Sequence, residues 1–342
     1  MFFWHGFCII CFACPERWAG RFRDAERRPP NITTIGDKGM KPLKEAAQAR
    51  RNGWCGLGGM AALCAALAAP QAHAVDVDAG DYTALPAGTN LAMAYYQYAT
   101  RDAAYVRGRK QAGDPRLDSH VGILRGVHFT EIGGYIVDPQ FLLPFGKLEG
   151  KDDLSAAGSA SGVGDLILAA TVWLVNKPQT GTYFGITPFL YAPTGNYDND
   201  DALNLGENRW KFALQAGFIT KLSEKVSLDL IGDFTLYGKN DKFGAAKVTM
   251  KQKPSMQFQG YLRYHLSDAW DLRAGVSHTV GGETEVAGVD QGDRLRTTKV
   301  SVGTGWFIAP DLQLLASYGR DVSVRNGLRE DDRLNLRVLK VF

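Results

Sequence analysis

From about residue 90 onward, the chain is built of segments of about ten residues in which apolar and polar side chains alternate. Alternation of this kind indicates β-strands, because successive side chains of a strand point to opposite faces of the sheet. In the segment Trp210 to Thr220, for example, Trp210, Phe212 and Leu214 share one face. Ten residues is also about the length that a tilted strand needs to cross a bilayer. The alternation therefore predicts an all-β fold whose strands are long enough to span a membrane.

The connections between these segments alternate between long and short. We predict about twelve strands, near residues 90–100, 119–129, 134–146, 163–175, 182–192, 209–221, 226–238, 255–266, 270–280, 295–308, 312–323 and 333–342. The connections 101–118, 150–162, 193–208, 240–254 and 281–294 are long, and those between them are short. Outer-membrane barrels have short periplasmic turns and long external loops, whereas a soluble sandwich has no reason to sort its loops by length. The prediction is an antiparallel transmembrane β-barrel in the bacterial outer membrane.

The surroundings of such a barrel explain why its strands look as they do. Lipid cannot form hydrogen bonds with backbone groups, so only a closed sheet satisfies every N–H and C=O within the bilayer. Apolar side chains then face lipid and polar ones face the lumen. Trp210, Trp270 and Trp306 fall at or near predicted strand ends, as expected of the aromatic girdles at membrane interfaces.

The last predicted strand, 333–342, ends on an aromatic residue. Leu334, Leu336, Val338 and Phe342 share one face of it. Final strands of bacterial outer-membrane proteins commonly have this form, and we predict that Phe342 is the assembly signal read by the barrel-assembly machinery. Lys340 breaks the pattern at an outward position, where its aliphatic stem can reach along the surface to the interface.

The segment 40–74 has the features of a secretory signal peptide. Lys41 and Lys44 precede an apolar stretch, and Ala72-His73-Ala74 forms an A-x-A site, which predicts cleavage after Ala74. Because a signal peptide belongs at an N-terminus, we interpret residues 1–39 as a mis-called, disordered extension and expect translation to begin at Met40. Residues 75–342 are then the outer-membrane barrel.

Composition supports this division and excludes some classes of protein. All five cysteines precede residue 65, so the predicted mature protein has no thiol, which suits an oxidising periplasm. Residues 75–342 carry 29 basic and 31 acidic side chains, a net charge of −2. A nucleic-acid partner is not expected for such a balance. The sequence lacks a G-x-S-x-G motif, a metal-spaced histidine cluster and a phosphate loop, so we expect neither enzyme activity nor a cofactor or bound metal.

Three motifs resemble those of a known family. They are Gly162-Val-Gly-Asp165, Ala192-Pro-Thr-Gly-Asn-Tyr-Asp198 and Leu203-Asn-Leu-Gly-Glu-Asn-Arg-Trp210. They resemble the outer-membrane barrels of the phenol meta-pathway degradation (MetA-pathway) family, and the resemblance covers roughly residues 80–342. It implies a transporter for passive uptake of small aromatic or other hydrophobic compounds. The partners expected are that solute, outer-membrane lipids and lipopolysaccharide.

Twelve strands enclose a lumen that is narrow or partly occluded, because eight-stranded barrels are filled and sixteen-stranded ones leave a channel. The phase of the alternation predicts the side chains that line this lumen, namely Asp229, Asp233, Tyr261, Arg263, His265, Asp271, Arg273, Lys299, Arg333 and Arg337. Such mixed charges either pair with one another across strands or contact solute. The sequence leaves both roles open, and it does not tell whether residues 75–88 plug the lumen.

Other functions remain as alternatives. A structural or adhesive barrel accounts for the same strand pattern, and a barrel lipid hydrolase would need a serine and a histidine brought together from neighbouring strands. Acidic residues crowd one external loop, at Asp198, Asp200, Asp201 and Glu207. We expect this loop to be solvated; divalent cations or the counter-ions of lipopolysaccharide are the alternative, although the spacing does not match an EF-hand.

Overall fold

The structure is a computed structural model that describes residues 76–342. Twelve long strands make up most of this part of the chain. We number them β1 (Asn90–Val106), β2 (Pro115–His128), β3 (Tyr135–Asp152), β4 (Leu166–Lys177), β5 (Thr182–Ala192), β6 (Lys211–Ser223), β7 (Val226–Tyr237), β8 (Ser255–Ser267), β9 (Trp270–Gly281), β10 (Leu295–Ala309), β11 (Leu312–Val324) and β12 (Gly327–Val341). The predicted extension 1–39, the signal peptide 40–74 and the cleavage site at Ala74 lie outside the described residues.

Each strand pairs antiparallel with the next, and β12 returns to pair with β1. The closing register runs from Leu91 opposite Val341 to Tyr105 opposite Gly327. The sheet is therefore a closed barrel without a free edge, as lipid requires of strands that cross it. The prediction of a twelve-stranded antiparallel barrel is confirmed.

Several strands extend beyond the predicted limits at the end that carries the long loops. Strand β3 continues to Asp152, and β12 begins at Gly327. The alternation of apolar and polar residues fades there because these parts of the strands project past the apolar belt, but their backbones still pair. As a result the connection between β1 and β2 is shorter than predicted, and that between β11 and β12 is only Arg325 and Asn326.

Shorter elements decorate both ends of the barrel. At the end with short turns, Thr130–Ile132 pairs with the start of β3 through a turn at Gly133 and Gly134. Both glycines have positive φ, 59° and 84°, as the tight turn requires. Residues with a Cβ rarely adopt this conformation. The other short elements are the strands Arg109–Lys110, Ser159–Val163, Asn240–Phe243, Val248–Gln252, Thr284–Val286 and Val289–Asp290, and the 3-10 turns Ser155–Ala157 and Pro178–Thr180. The last four of these strands form a separate small sheet from two external loops.

The outer face of the barrel carries an apolar belt bounded by tryptophans. Large apolar side chains such as Phe258 and Val302 are more than half exposed, as expected where lipid replaces water. Trp270 and Trp306 are register partners beside the short turns, with ring centroids 6.3 Å apart, while Trp210 is exposed at the opposite end. Among residues 76–342, no helix is long and apolar enough to cross a membrane.

The two unusual features of the last strand both have local partners. Lys340 forms an ion pair with Asp311 in the turn before β11, and this bond holds the pKa of that carboxyl below its usual range. Phe342 exchanges two backbone hydrogen bonds with Asn90, and the residue is 69% exposed. The role of Phe342 in assembly stays a prediction.

Candidate functional site

The chain before β1 lies inside the barrel. We call residues 76–86 the N-terminal segment. Its backbone is bonded to the inner face of β7–β9: Val77 N donates to Gln259 Oε1 at 3.2 Å, Gly80 N donates to Asp229 Oδ2 at 2.6 Å, and Ala79 O accepts from Arg273 Nη1 at 2.8 Å. The sequence left the occupancy of the lumen open; the structure places this segment in it.

The acidic side chains of the N-terminal segment pair with basic side chains of the wall. Asp76 lies 3.2 Å from Arg333 and 3.3 Å from Lys299. Asp78 lies 3.1 Å from Arg337. Because opposite charges attract strongly away from water, these pairs fix the segment against β10 and β12.

Tyr82 anchors the segment on the other side of the lumen. Its hydroxyl lies 2.9 Å from Thr187 Oγ1 and donates to Gln215 Oε1 at 2.9 Å. Its ring packs edge-on against Trp173, with centroids 5.8 Å apart. The segment is thus held both by charge and by a buried aromatic side chain.

The charged residues predicted for the lumen come together on the inner face, and many pair with one another. Arg263 lies 3.0 Å from Asp229, and Arg273 lies 2.7 Å from Asp271. Lys299 and Arg333 share Glu330, at 2.8 and 3.4 Å. Asp233 differs, because neither of its buried carboxylate oxygens has a hydrogen-bond partner among the described residues.

A cavity of about 560 Å³ remains beside the N-terminal segment. Eight of the ten predicted residues line it: Tyr261, Arg263, His265, Asp271, Arg273, Lys299, Arg333 and Arg337. Asp229 and Asp233 are not among its lining residues; Asp229 instead receives the backbone of Gly80. The structure therefore places most of the predicted set along this cavity.

One wall of this lumen is apolar, which the strand pattern did not predict. A buried cluster on the inner faces of β2–β6 consists of Ile123, Leu142, Ile167, Phe189, Tyr191 and Ala213. We call it the apolar wall; Ile123, Leu142 and Phe189 of this set line the cavity. The available signal was a pair of adjacent apolar residues, such as Phe189 and Leu190, which puts an apolar side chain on both faces of a strand.

The strand pattern also did not predict that Arg125 on β2 faces the lumen. Arg125 lies between Ile123 and Val127 at inward positions of β2, so its inward-facing charge stands between two apolar neighbours. Its guanidinium donates to Gln140 Oε1 at 2.8 Å and to the Tyr95 hydroxyl at 3.2 Å, and it lies 3.0 Å from Asp81. It lines the cavity.

The three sequence motifs build an external loop and not the lumen. The Asp165 carboxylate accepts hydrogen bonds from Gly195 N and Glu207 N, both at 3.0 Å. Glu207 pairs with Arg209 at 2.6 Å and also with Lys211. We call these five residues the loop clasp. The expectation of a solvated acidic loop is therefore wrong for Glu207, whose carboxylate is enclosed by two cations.

The electrostatics of the loop clasp follow from that enclosure. Burial alone would raise the pKa of Glu207, but Lys211 and Arg209 hold it at about 2. Asp198 and Asp200 instead bond within their own loop, where Asp198 Oδ1 accepts from Asp200 N at 2.9 Å. Among residues 76–342, no group of three or more His, Cys, Asp or Glu side chains is placed to hold a metal ion.

Strand pairing also creates a serine–histidine contact. Ser227 Oγ on β7 lies 2.8 Å from His265 Nε2 on β8. Ser227 is only 2% exposed, so a substrate could not reach its hydroxyl without movement of the wall.

A closed barrel with an apolar belt, tryptophans at both ends and a lumen lined by charged and apolar walls defines a bacterial outer-membrane β-barrel channel. A family model described as "Putative MetA-pathway of phenol degradation" matches residues 100–338, and the chain belongs to that family. The resemblance noted in the sequence is confirmed.

Solved structures agree with this class. The COG4313 outer membrane channel from Pseudomonas putida F1 is 45% identical, with a TM-score of 0.75, over 78% of this chain and 100% of that one. The transport unit of the autotransporter AIDA-I from Escherichia coli is 7% identical, with a TM-score of 0.50, over 83% of this chain and 97% of that one, and shares the fold alone. No curated protein sequence matches the chain.

Proposed function

We propose that this outer-membrane channel passively carries small aromatic or other hydrophobic compounds. The observation that carries the proposal is the apolar wall, which lines one side of a lumen whose other side is charged. Water-soluble ions gain no free energy from contact with apolar side chains such as Ile123, Leu142 and Phe189. Apolar side chains facing a cavity instead offer an apolar solute a surface on which to leave water.

The free energy that a solute gains by burying apolar surface on this wall suits transport better than storage. Burying about 100 Å² of apolar surface contributes roughly 2.5 kcal/mol, at about 25 cal/mol per Å². Conduction requires binding strong enough for entry and weak enough for release. A single apolar wall, with a polar wall opposite, provides partial burial of that order. We propose that the solute moves along the cavity beside the N-terminal segment.

The alternatives have less support. A barrel lipid hydrolase would use Ser227 and His265, but this pair faces the lumen and its serine is buried. A structural or adhesive barrel has no specific observation in its favour. We propose that the protein carries out no covalent chemistry.

The remaining partners belong to the membrane. We propose that the apolar belt contacts outer-membrane lipids and that Arg116, Lys147 and Lys151, which are 41 to 47% exposed at the external ends of β2 and β3, approach lipopolysaccharide phosphates. We further propose that the barrel-assembly machinery binds the strand that ends at Phe342.

Uptake by whole cells tests the transport function. Cells depleted of general porins and supplied with this channel are expected to take up phenol faster than cells without it, and Phe189→Ser should reduce that gain. Val289→Ser, a matched change at an exposed position of an external loop, should not reduce it. The uptake of a polar solute of similar size by the same cells reports whether the lumen is open in each variant. Phenol uptake equal to that of cells without the channel would contradict the proposal.

A further inference from the structure

Two arginines of the wall hold one carboxylate of the N-terminal segment between them. Asp81 Oδ2 lies 3.0 Å from Arg125 Nη1, and Asp81 Oδ1 lies 2.6 Å from Arg337 Nη1. Each carboxylate oxygen thus has its own guanidinium partner. Hydrogen bonds between ionised groups are the stronger class of hydrogen bond, and arginine suits the planar carboxylate. The arrangement is a carboxylate-binding site that already has an occupant.

An aromatic side chain completes this site. The Tyr95 hydroxyl accepts from Arg125 Nη1 at 3.2 Å, and the guanidinium carbon of Arg337 lies 5.8 Å from the centre of the Tyr95 ring. Tyr95 is the register partner of Arg337 on β12 and of Ile123 on β2. It therefore fixes the positions of two arginines that come from strands on either side of β1.

The neutralisation of these two arginine charges depends on carboxylates of the N-terminal segment. Among the described residues, the ionic partners of Arg125 and Arg337 are Asp81 and Asp78, and their other side-chain partners are neutral. Arg263 differs, because its carboxylate partner is Asp229 of the neighbouring wall strand. A buried charge left without a partner is strongly unfavourable. If the N-terminal segment left this position, the two arginines would therefore need another anion.

The carboxylate site borders the apolar wall. Leu142 is the register partner of Arg125 across β2 and β3, and Ile123 precedes Arg125 by two residues on the same face. Residues two apart in a strand are about 7 Å apart, which is the length of a small aromatic ring with its substituent. Arg125, Arg337, Ile123 and Leu142 all line the cavity.

We infer that Arg125 and Arg337 form a binding site for small carboxylates with an apolar or aromatic body, and that Asp81 occupies the position of the solute carboxylate. The inference rests on the proposed transport function and narrows its solute class. An arriving solute exchanges its carboxylate for that of Asp81, while its body lies on Ile123 and Leu142. The exchange keeps both arginines paired and releases the N-terminal segment at this point.

Ion permeability in planar bilayers tests this site with the full mature channel. Benzoate, acetate and chloride are the probes, at about pH 8, where both carboxylates are ionised. The permeability ratio of benzoate to chloride should exceed that of acetate to chloride. Asp81→Asn, which removes the competing carboxylate, should raise the benzoate ratio by about threefold or more. The double variant Arg125→Gln/Arg337→Gln should reduce it to the acetate value, and Lys251→Gln, an exposed external charge, should leave it unchanged.

Folding and function are separated by two further measurements. Heat-modifiable mobility on gels reports whether each variant forms the barrel. If the double glutamine variant does not form it, Arg125→Lys/Arg337→Lys takes its place. This variant keeps both charges but loses the paired guanidinium geometry, and it should also lower the permeability ratio of benzoate to chloride. A benzoate ratio unchanged in a folded double variant would overturn the inference, while phenol uptake by cells would still support the transport function. If cells with the unmodified channel took up phenol no faster than cells without it, the transport function itself would be overturned.

Discussion

The ring of Tyr82 lies directly against the backbone of Gly217 on β6, so closely that a β-carbon at position 217 would stand 2.1 Å from Tyr82 Cγ. Only glycine leaves room for the ring here. Together with the hydrogen bonds to Thr187 and Gln215, this contact fixes one side of the N-terminal segment in the lumen.

Gly217→Ala should therefore displace Tyr82 and loosen the N-terminal segment. Because the segment occupies part of the lumen, we expect single-channel conductance to rise by about twofold or more. Gly232→Ala on the adjacent strand is the matched control, since its nearest neighbour would be 3.5 Å from the added carbon, an ordinary contact. Equal conductance in the two folded variants would show that Tyr82 does not restrict the lumen.

The loop clasp should weaken in acid. The pKa of Glu207 is about 2 in the folded protein, against an ordinary value of 4.5. A carboxyl with a lowered pKa stabilises the fold when ionised, so its contribution is complete above about pH 4.5 and is lost as the pH falls toward about 2. Thermal unfolding in detergent should show that Glu207→Gln lowers the Tm by about 3 °C or more near neutral pH, with the difference shrinking below about pH 4.5.

The control for that measurement lies in the same loop. Asp200→Asn removes an exposed acid and should leave the Tm nearly unchanged at every pH. If Glu207→Gln behaved like Asp200→Asn, the ion pairs with Arg209 and Lys211 would not stabilise the loop.

Removal of Phe342 should impair assembly more than stability. Its side chain is exposed, and its backbone makes only a terminal pair of hydrogen bonds with Asn90. We expect the truncated protein to refold in detergent like the full chain but to reach the outer membrane in smaller amounts. An unchanged amount in outer-membrane fractions would remove the proposed role of Phe342.

The predicted cleavage after Ala74 would give a mature protein that begins at Val75, one residue before Asp76. Mass spectrometry of protein extracted from outer membranes should find this N-terminus. A mature chain that retained residues of the segment 40–74 would contradict the predicted signal peptide.

The sequence predicted the barrel well because lipid imposes a strict pattern on every strand. β5 was predicted with its observed bounds, whereas β3 and β12 were predicted too short, because outside the bilayer a strand can pair without apolar alternation. The closure of β12 on β1 follows from the need to leave no free edge in lipid.

The candidate site was predicted only in part. Arg337 was predicted because polar and apolar residues alternate from Arg333 to Val338, while Arg125 lies between the inward apolar residues Ile123 and Val127 and was not predicted. The N-terminal segment has no strand or helix period, and its position in the lumen depends on contacts such as Asp81 with Arg337, which join parts of the chain 256 residues apart. The residue pattern within one segment does not predict contacts between parts of the chain that lie so far apart.

We expect an aromatic solute to bind against the apolar wall inside the barrel. A crystal of the channel soaked with bromobenzene would locate the solute through anomalous scattering of its bromine. We predict a bromine site in the lumen within contact of Ile123, Leu142 and Phe189, and its loss in Phe189→Ser. Bromine found only on the lipid-facing surface of the barrel would contradict the claim.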